Sequence, residues 1–505
     1  MRSLAILLLG LALPSVAGDT TTVLLHAPGM PGEKVLLYAL EDPFTDRPRL
    51  LDESRFDPKG TATLQAGVER RTRCFLRLRT GRALLYLEPG ATYRVDMERS
   101  TEVGARSIGA THALPIVFTD LDILDINALV SDLNERLDAF LADHVAGDET
   151  AGMTALGQVR GQQDVSRDST GTRDWGLLPG LSSQAIDSFA GRLDQFYAEI
   201  DDPWFHAHRR YAVAGLYLGP RSNDRDLYER FIQETGVRYD DPEYVRFLRG
   251  VFQEHLRTHP FRRHGDAFLD LVKRGEVHAI DSLLKENDLL LDHRLRELVM
   301  LDQFYLGYHD QLFDKEGIRT ILTDRAAHSP FPEHRALAGN MLWDLTHMTE
   351  GGTFPSLELT DLQRQEYDLD LSDTGMTCLA VIASWCTYCE VEIGAFEALA
   401  ADHAGVSRFV VIGLDSSLTE WGRFASSRDR EHVEWAWAPG ALALMDQLRL
   451  RAVPGFFVVE GERLGNVPGP LPSEGLAAVL HRRRVELQQR GRIRFGSEAP
   501  PPPRR

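Results

Sequence analysis

The sequence predicts a chain in three parts: an antiparallel β-sandwich-like domain, an all-α region and a C-terminal α/β domain. Three observations predict it. β-rich runs separated by turn residues fill positions 20 to about 100; apolar residues then recur at steps of three and four; and beyond residue 350 strand-like and helical segments alternate. With 505 residues the chain is longer than one core ordinarily fills.

The N-terminus, "MRSLAILLLGLALPSVAGDT", places Arg2 before an apolar run, then Pro14 and small residues. That order predicts a secretory signal peptide over residues 1–18, cleaved after Ala17 or Gly18. The run is about half of the roughly 20 residues that span a bilayer, and no later stretch is long enough, so export without a membrane span is expected. No cysteine stands at the cleavage point to signal a lipid anchor. The expected location is the periplasm or cell envelope. Lys and Arg total 56 against 75 for Asp and Glu, a formal charge of −19, which repels phosphates and argues against nucleic acid as a partner.

Residues 19–115 carry "TTTVLLHA", "KVLLYAL", "CFLRLR", "ALLYLE" and "TYRVDM", punctuated by "PGMPGE", "DPKG", "RTGR" and "EPG". This is the strand and turn chemistry of a sandwich. Residues 116–348 read as helical. Ile126, Leu129, Val130, Leu133, Leu137, Phe140 and Leu141 form one apolar stripe, and Ile186, Phe189, Leu193, Phe196 and Ile200 another. Between them residues 146–180 lack periodicity and predict a flexible loop. "DDPWF" and "DDPEYV" mark helix starts, with Asp able to cap and Pro in the first turn. No repeat period is present, so a bundle or irregular helical array is expected.

Residues 350–484 alternate. After the lead-in "GGTFPSLELTDL", "CLAVIA" (378–383) and "RFVVIGLD" (408–415) read as buried parallel strands, and "FFVVEGERLGNV" (456–467) as two strands around "EGER". Residues 485–505 are a basic, Pro-rich tail, ending in a disordered "APPPPRR". The basic run "HRRRVELQQRGRIRF" reads as a solvated helix end.

The stretch "AVIASWCTYCEVEI" (380–393) carries the chemistry. Cys389, Ile393, Phe396 and Ala400 share one helical face, turning Cys389 toward the core and leaving Cys386 at the helix tip. Unsatisfied amides and the dipole at that tip favour a thiolate, while the nearby carboxylates of Glu390 and Glu392 oppose it. By themselves the two cysteines could be a redox pair or a structural staple. A zinc site would want two more ligands at similar spacing, and there is no second C-x-x-C, so no metal is expected. His293 with Glu297, and His206 with His208, lack a third ligand and read as packing or surface groups. Cys378 reads as a small buried hydrophobe, and its strand position disfavours a bond to Cys74.

Strand "CLAVIASWC", helix "CEVEIGAF" and downstream "RAVPGFFVV" together resemble the TlpA/ResA-like thiol-disulfide oxidoreductases of the thioredoxin-fold superfamily, over the C-terminal domain only. The lead-in is similar to that branch's opening, and Glu392 matches its C-x-x-E element. The resemblance implies that Cys386 attacks a disulfide, Cys389 resolves the mixed disulfide, and Pro454 is cis, with Val453 offering backbone hydrogen bonds to an extended substrate. Trp385 and Tyr388 would shape the contact surface and Glu392 would move a proton. It further implies a reductant of protein disulfides with no cofactor, recharged by a membrane thiol donor. Three positions depart from the pattern: Tyr388 and Gly394 stand where prolines are usual, and Ala380 where many thioredoxins bury a carboxylate. The competing expectation is a non-catalytic binding or assembly protein of the envelope with a structural thioredoxin-like domain.

Overall fold

The computed structural model describes residues 20–78, 81–97, 113–145, 181–219, 223–372, 375–450 and 452–493. The expected signal peptide, the loop over 146–180 and the end of the tail lie outside the described residues.

Strands β1 (Thr20–His26), β2 (Lys34–Leu40), β3 (Pro48–Arg55), β4 (Thr61–Gly67), β5 (Thr72–Leu78), β6 (Gly81–Leu87), β7 (Thr92–Met97) and β8 (Ile116–Thr119) form two four-stranded sheets. Their orders are β4-β1-β7-β8 and β3-β2-β5-β6. Alternation fixes which side faces in: β4 exposes and buries successive residues, and Val23, Leu37, Leu64, Leu76, Leu85 and Val95 meet in a shared core. One pairing differs from the antiparallel expectation. β1 runs parallel to β7, and the chain between them passes through β2 and β3 of the second sheet, β4 of the first and β5 and β6 of the second, a connection long enough for a parallel neighbour.

Helices follow: α1 (Ile126–Val145), α2 (Ser183–Phe196), α3 (Pro203–Ala214), α4 (Pro242–Val251), α5 (His293–Leu306), α6 (Lys315–His328) and α7 (Pro332–Thr346), with shorter ones between. Their starts obey the sequence signals. Asp202 caps α3 by accepting from Phe205 N at 2.9 Å, and Asp241 caps α4 from Glu243 N at 3.0 Å. The two predicted stripes meet, with Phe140 stacked on Phe189 at 4.2 Å. Of the histidines read as packing groups, His206 bonds the Ile200 carbonyl and His208 pairs with buried Asp241 at 2.8 Å.

Glu297 is buried within the helical array. It accepts from Ser329, from Arg325 at 3.1 Å, and pairs with His334 Nδ1 at 2.8 Å, while His334 Nε2 meets Tyr239 Oη at 2.8 Å. Burial works against its charge, but the hydrogen bonds of His334, Ser329 and Arg325 and the charge of His334 outweigh it and hold its pKa at about 2 against an ordinary 4.5. A folded pKa below the unfolded one contributes stability that is complete above about pH 4.5 and lost as pH falls toward 2. Urea denaturation should show a loss on the order of 3 kcal/mol across that window. The Glu297 part of that slope should vanish in Glu297→Gln; an unchanged slope would remove the assignment.

The β2–β3 turn ties the sheets to the helices. Asp42 accepts from the amides of Phe44 and Thr45, each at 2.8 Å, which turns Phe44 out of the sheet and into the helical core, where it is fully buried.

The C-terminal part runs β9 (Met376–Ile382), α8 (Thr387–Asp402), β10 (Ser407–Gly413), α9 (Leu418–Ala425), β11 (Glu434–Trp437), α10 (Ala441–Gln447), β12 (Gly455–Glu460), β13 (Arg463–Asn466) and α11 (Ala477–Ile493). Its sheet has the order β11-β10-β9-β12-β13. β9, β10 and β11 are parallel, and β12 and β13 are each antiparallel to their neighbour, the thioredoxin-like arrangement. β9 is buried on both faces. Cys378, Ala380 and Ile382 point to a core shared with α8, α9 and α11, while Leu379 and Val381 point to a core shared with α10 and the lead-in residues Phe354 and Leu359. The lead-in also bridges both sheet edges, Thr353 to Arg463 and Thr360 to Trp437. Such cover blunts strand edges that would otherwise template pairing.

Cys74 and Cys378 are both buried free thiols, so no bond joins them. Burial pushes each up to about 12, which keeps them protonated and unreactive.

Candidate redox site

β9 ends at Ile382, and the turn that follows delivers Cys386 to the N-cap of α8. Cys386 is half-buried and Cys389 is fully buried. The two sulfurs are bonded, with Cα atoms 5.2 Å apart. Cys386 Sγ accepts from Cys389 N at 3.1 Å, so the cap that most helices fill with Ser, Thr, Asp or Asn is here a sulfur. That amide and the helix dipole stabilise negative charge on Sγ once the pair is reduced.

The expected face of α8 is the buried one: Cys389, Ile393 and Phe396 are shielded completely and Ala400 nearly so. Gly394 leaves α8 unbroken from Thr387 to Asp402. Tyr388 and Val391 stand on the other side, 52% and 65% exposed. The Tyr388 hydroxyl is pushed up, by desolvation first and then by the carboxylates of Glu392 and Glu474. Trp385 is half-buried and packs against the lead-in side of the sheet.

The strand after α10 brings in the other wall. The Val453–Pro454 bond is cis, and Val453 O lies 3.8 Å from Cys386 Sγ. A second cis bond, Val467–Pro468, follows β13 and carried no signal beyond the dipeptide itself. Glu392 is buried one turn beyond Cys389 and accepts from Ser473 N at 3.1 Å and Ser473 Oγ at 2.7 Å. Those bonds join α8 to the turn that leads into α11.

Sequence reasoning missed Asp415. It lies just past the C-terminal end of β10, beside the end of β9, where parallel strands gather functional groups. Its carboxylate accepts from Ser384 N at 3.0 Å and from Ser384 Oγ, and its carbonyl accepts from Trp437 Nε1 at 2.9 Å. Asp415 therefore holds the turn two residues ahead of Cys386. Burial pushes its carboxyl up, against the Ser384 bonds that favour the charged form. The legible signal was an aspartate closing an unbroken apolar strand, "RFVVIGLD". Asp415→Ala should cost about 1–3 kcal/mol in chemical denaturation, because the Ser384 amide loses its partner. A loss below about 0.5 kcal/mol would show that water replaces the carboxylate.

Among the described residues, no group of three or more His, Cys, Asp or Glu is placed to hold a metal ion. No helix among them is long and apolar enough to cross a membrane.

No protein-family model matches the chain, and no curated protein matches it. Solved structures align with parts of it. A protein assigned as a thiol-disulfide oxidoreductase from Bacteroides vulgatus is 21% identical over 27% of this chain and 98% of its own, with a TM-score of 0.25. The exposed lipoprotein thioredoxin of Streptococcus pneumoniae is 16% identical over 25% of this chain and 99% of its own, with a TM-score of 0.23. A thioredoxin-like protein from Bacteroides caccae is 11% identical over 52% of this chain and 92% of its own, with a TM-score of 0.27. The thioredoxin-like arrangement of the C-terminal part rests on the strand order and helix placement described above.

Proposed function

We propose that this chain is an exported thiol-disulfide oxidoreductase of the TlpA/ResA-like kind, which reduces protein disulfides through Cys386 and Cys389. The observation that carries the reading is the position of Cys386 Sγ: at the tip of α8, with a backbone amide at 3.1 Å and Val453 O at 3.8 Å, over a fully buried Cys389. In the reduced protein the Cys386 thiolate attacks one sulfur of a substrate disulfide, and the other sulfur leaves as a thiolate. Cys389, deprotonated, then attacks Cys386 Sγ, which releases the second substrate thiol and leaves the pair as a disulfide. Two electrons pass to the substrate, so a membrane thiol donor must return them before the next turnover.

The remaining roles follow from position. Val453 and Pro454 form the rim on which an extended substrate lies, with Trp385 and exposed Tyr388 as its side walls. Glu392, buried one turn past Cys389, takes the proton of the resolving thiol. The domain limits of the sequence reading, 19–115, 116–348 and 350–484, belong to the same proposal, as does export to the periplasm or envelope.

Titrating the mature chain in glutathione buffers, with an insulin-reduction assay alongside, tests it. The expected result is a potential above about −300 mV together with turnover of insulin disulfides. A pair that resists reduction beyond that value and turns nothing over would replace the enzyme with a scaffold.

A further inference from the structure

The turn that supplies the Val453–Pro454 rim is held from outside its own sheet. α10 lays Leu442 on the outer face of the β3-β2-β5-β6 sheet, buried against Leu36, Tyr38 and Phe75, with the Tyr38 and Phe75 rings stacked at 5.0 Å. At the end of α10 the largely buried carboxylate of Asp446 faces Arg77 Nε at 3.5 Å. Three contacts then fix the end of α10 and Arg449 to α7 and to His347 just past it. Gln447 O pairs with His347 Nε2 at 2.8 Å, and Arg449 donates to Asp344 O at 3.0 Å and to the Asp344 carboxylate. The Arg449 guanidinium also lies 5.2 Å over the Trp343 ring, which carries Arg47 of the β2–β3 turn at 4.4 Å.

This grip is transmitted. Arg449 holds φ at +52°, a left-handed conformation that a non-glycine residue keeps only where its surroundings impose it. Leu450 N bonds Met445 O at 2.8 Å, and the Leu450 side chain fills the space in front of Gly455, where an added Cβ would lie 2.4 Å from it. Gly455 directly follows Pro454, and Val453 O is the group beside Cys386 Sγ.

We infer that Arg449 and Asp446 are positioning residues of the redox site, through which α7 and the β3-β2-β5-β6 sheet hold the substrate rim in place. The inference rests on the proposed function for what the rim does, but not for how it is held. It gives the front portion of the chain a role that docking alone does not: it pre-organises the rim, whereas the charge environment of Sγ comes from α8. Loosening the grip therefore weakens recognition of a protein disulfide and spares reaction with a small one.

The experiment uses the full chain carrying Arg449→Ala or Arg449→Lys, at a partly exposed side chain whose loss leaves the cores intact. Amide hydrogen exchange over residues 446–456 is followed with insulin kinetics and with reduction of a small aromatic disulfide. In Arg449→Ala, exchange in that stretch should accelerate about tenfold with β9 and α8 unchanged. KM for insulin should rise about fivefold or more with kcat and the small-disulfide rate within about twofold, and Arg449→Lys should recover part of both effects. Unchanged exchange over residues 446–456 would overturn the inference, and so would equal loosening of β9 and α8. If the unmodified chain turns over no insulin, the functional reading falls while the exchange result still decides the grip.

Discussion

Cys389→Ser should leave the chain joined covalently to its substrates through Cys386, while Cys386→Ser should lower insulin turnover by about 10³-fold or more. The asymmetry comes from burial. Cys386 is half-buried at the tip of α8 with its sulfur beside Val453, where an incoming disulfide would meet it; Cys389 is fully buried beneath it and would reach only the Cys386 sulfur. Serine at 389 removes the group proposed to resolve the mixed disulfide and keeps the amide that bonds Cys386 Sγ at 3.1 Å. The adducts should appear on non-reducing gels as higher-mass bands that reductant collapses. They should be absent from the Cys386→Ser, Cys389→Ser double variant. Adducts that persist in the double variant would have to come from Cys74 or Cys378, whose buried thiols are pushed up to about 12, and that outcome would overturn the assignment of the nucleophile.

The parts of this site that sequence made legible are those set by local periodicity. The spacing of Cys389, Ile393, Phe396 and Ala400 fixes the buried face of α8 with no knowledge of what lies opposite, because a helix repeats every 3.6 residues. The unbroken apolar run at Cys378 fixes a strand covered on both faces in the same way. What stayed hidden depends on contacts between residues far apart in the chain. Ser384 and Asp415 are each unremarkable in their own segments, and their bond exists only because β9 and β10 are neighbours in register. Arg449 lies in a short stretch with no period, and its partners Trp343 and Asp344 lie on a helix of another region. The parallel pairing of β1 with β7 is hidden for a related reason: alternation reports which face is buried and says nothing of strand direction.

The β-rich part, read as a module of unknown use, is joined to the rest through the β2–β3 turn as well as through a sheet face. Asp42, besides capping the β2–β3 turn, accepts from Asn340 Nδ2 at 2.8 Å, and Asn340 Oδ1 accepts from Arg47 at 2.8 Å. One turn of α7 thus holds the β2–β3 turn through Asn340 and the residues after α10 through Asp344. The turn and the residues leading to the rim lie far apart in sequence and contact one helix.

Phe44→Ala should destabilise the full chain by about 3–5 kcal/mol, the cost of emptying a large aromatic site in a packed core. Phe44 belongs to the turn between β2 and β3, yet its ring is fully buried among residues of the helical array. Arg249 lies 5.7 Å over that ring, donates to the Phe44 carbonyl at 2.8 Å and is itself held by Asp302 at 2.7 Å. Removing the ring therefore opens a cavity and exposes a buried ion pair to water where Phe44 enters the array. Phe44 is the residue of this turn that enters the helical core, so the loss should fall first on that junction: urea unfolding monitored by hydrogen exchange should split, with β2 and β3 losing protection before α4 and α5. Phe44→Leu, which refills most of the volume, should restore a single transition and recover more than roughly half of the loss. A midpoint that does not move in Phe44→Ala would mean that Asp42, Arg47 and Asn340 hold the junction without the ring. The rim held by α7 would then be expected to keep its protection in that variant; if instead β2, β3 and residues 446–456 loosen together, the β2–β3 turn, α7 and the rim form one mechanical unit.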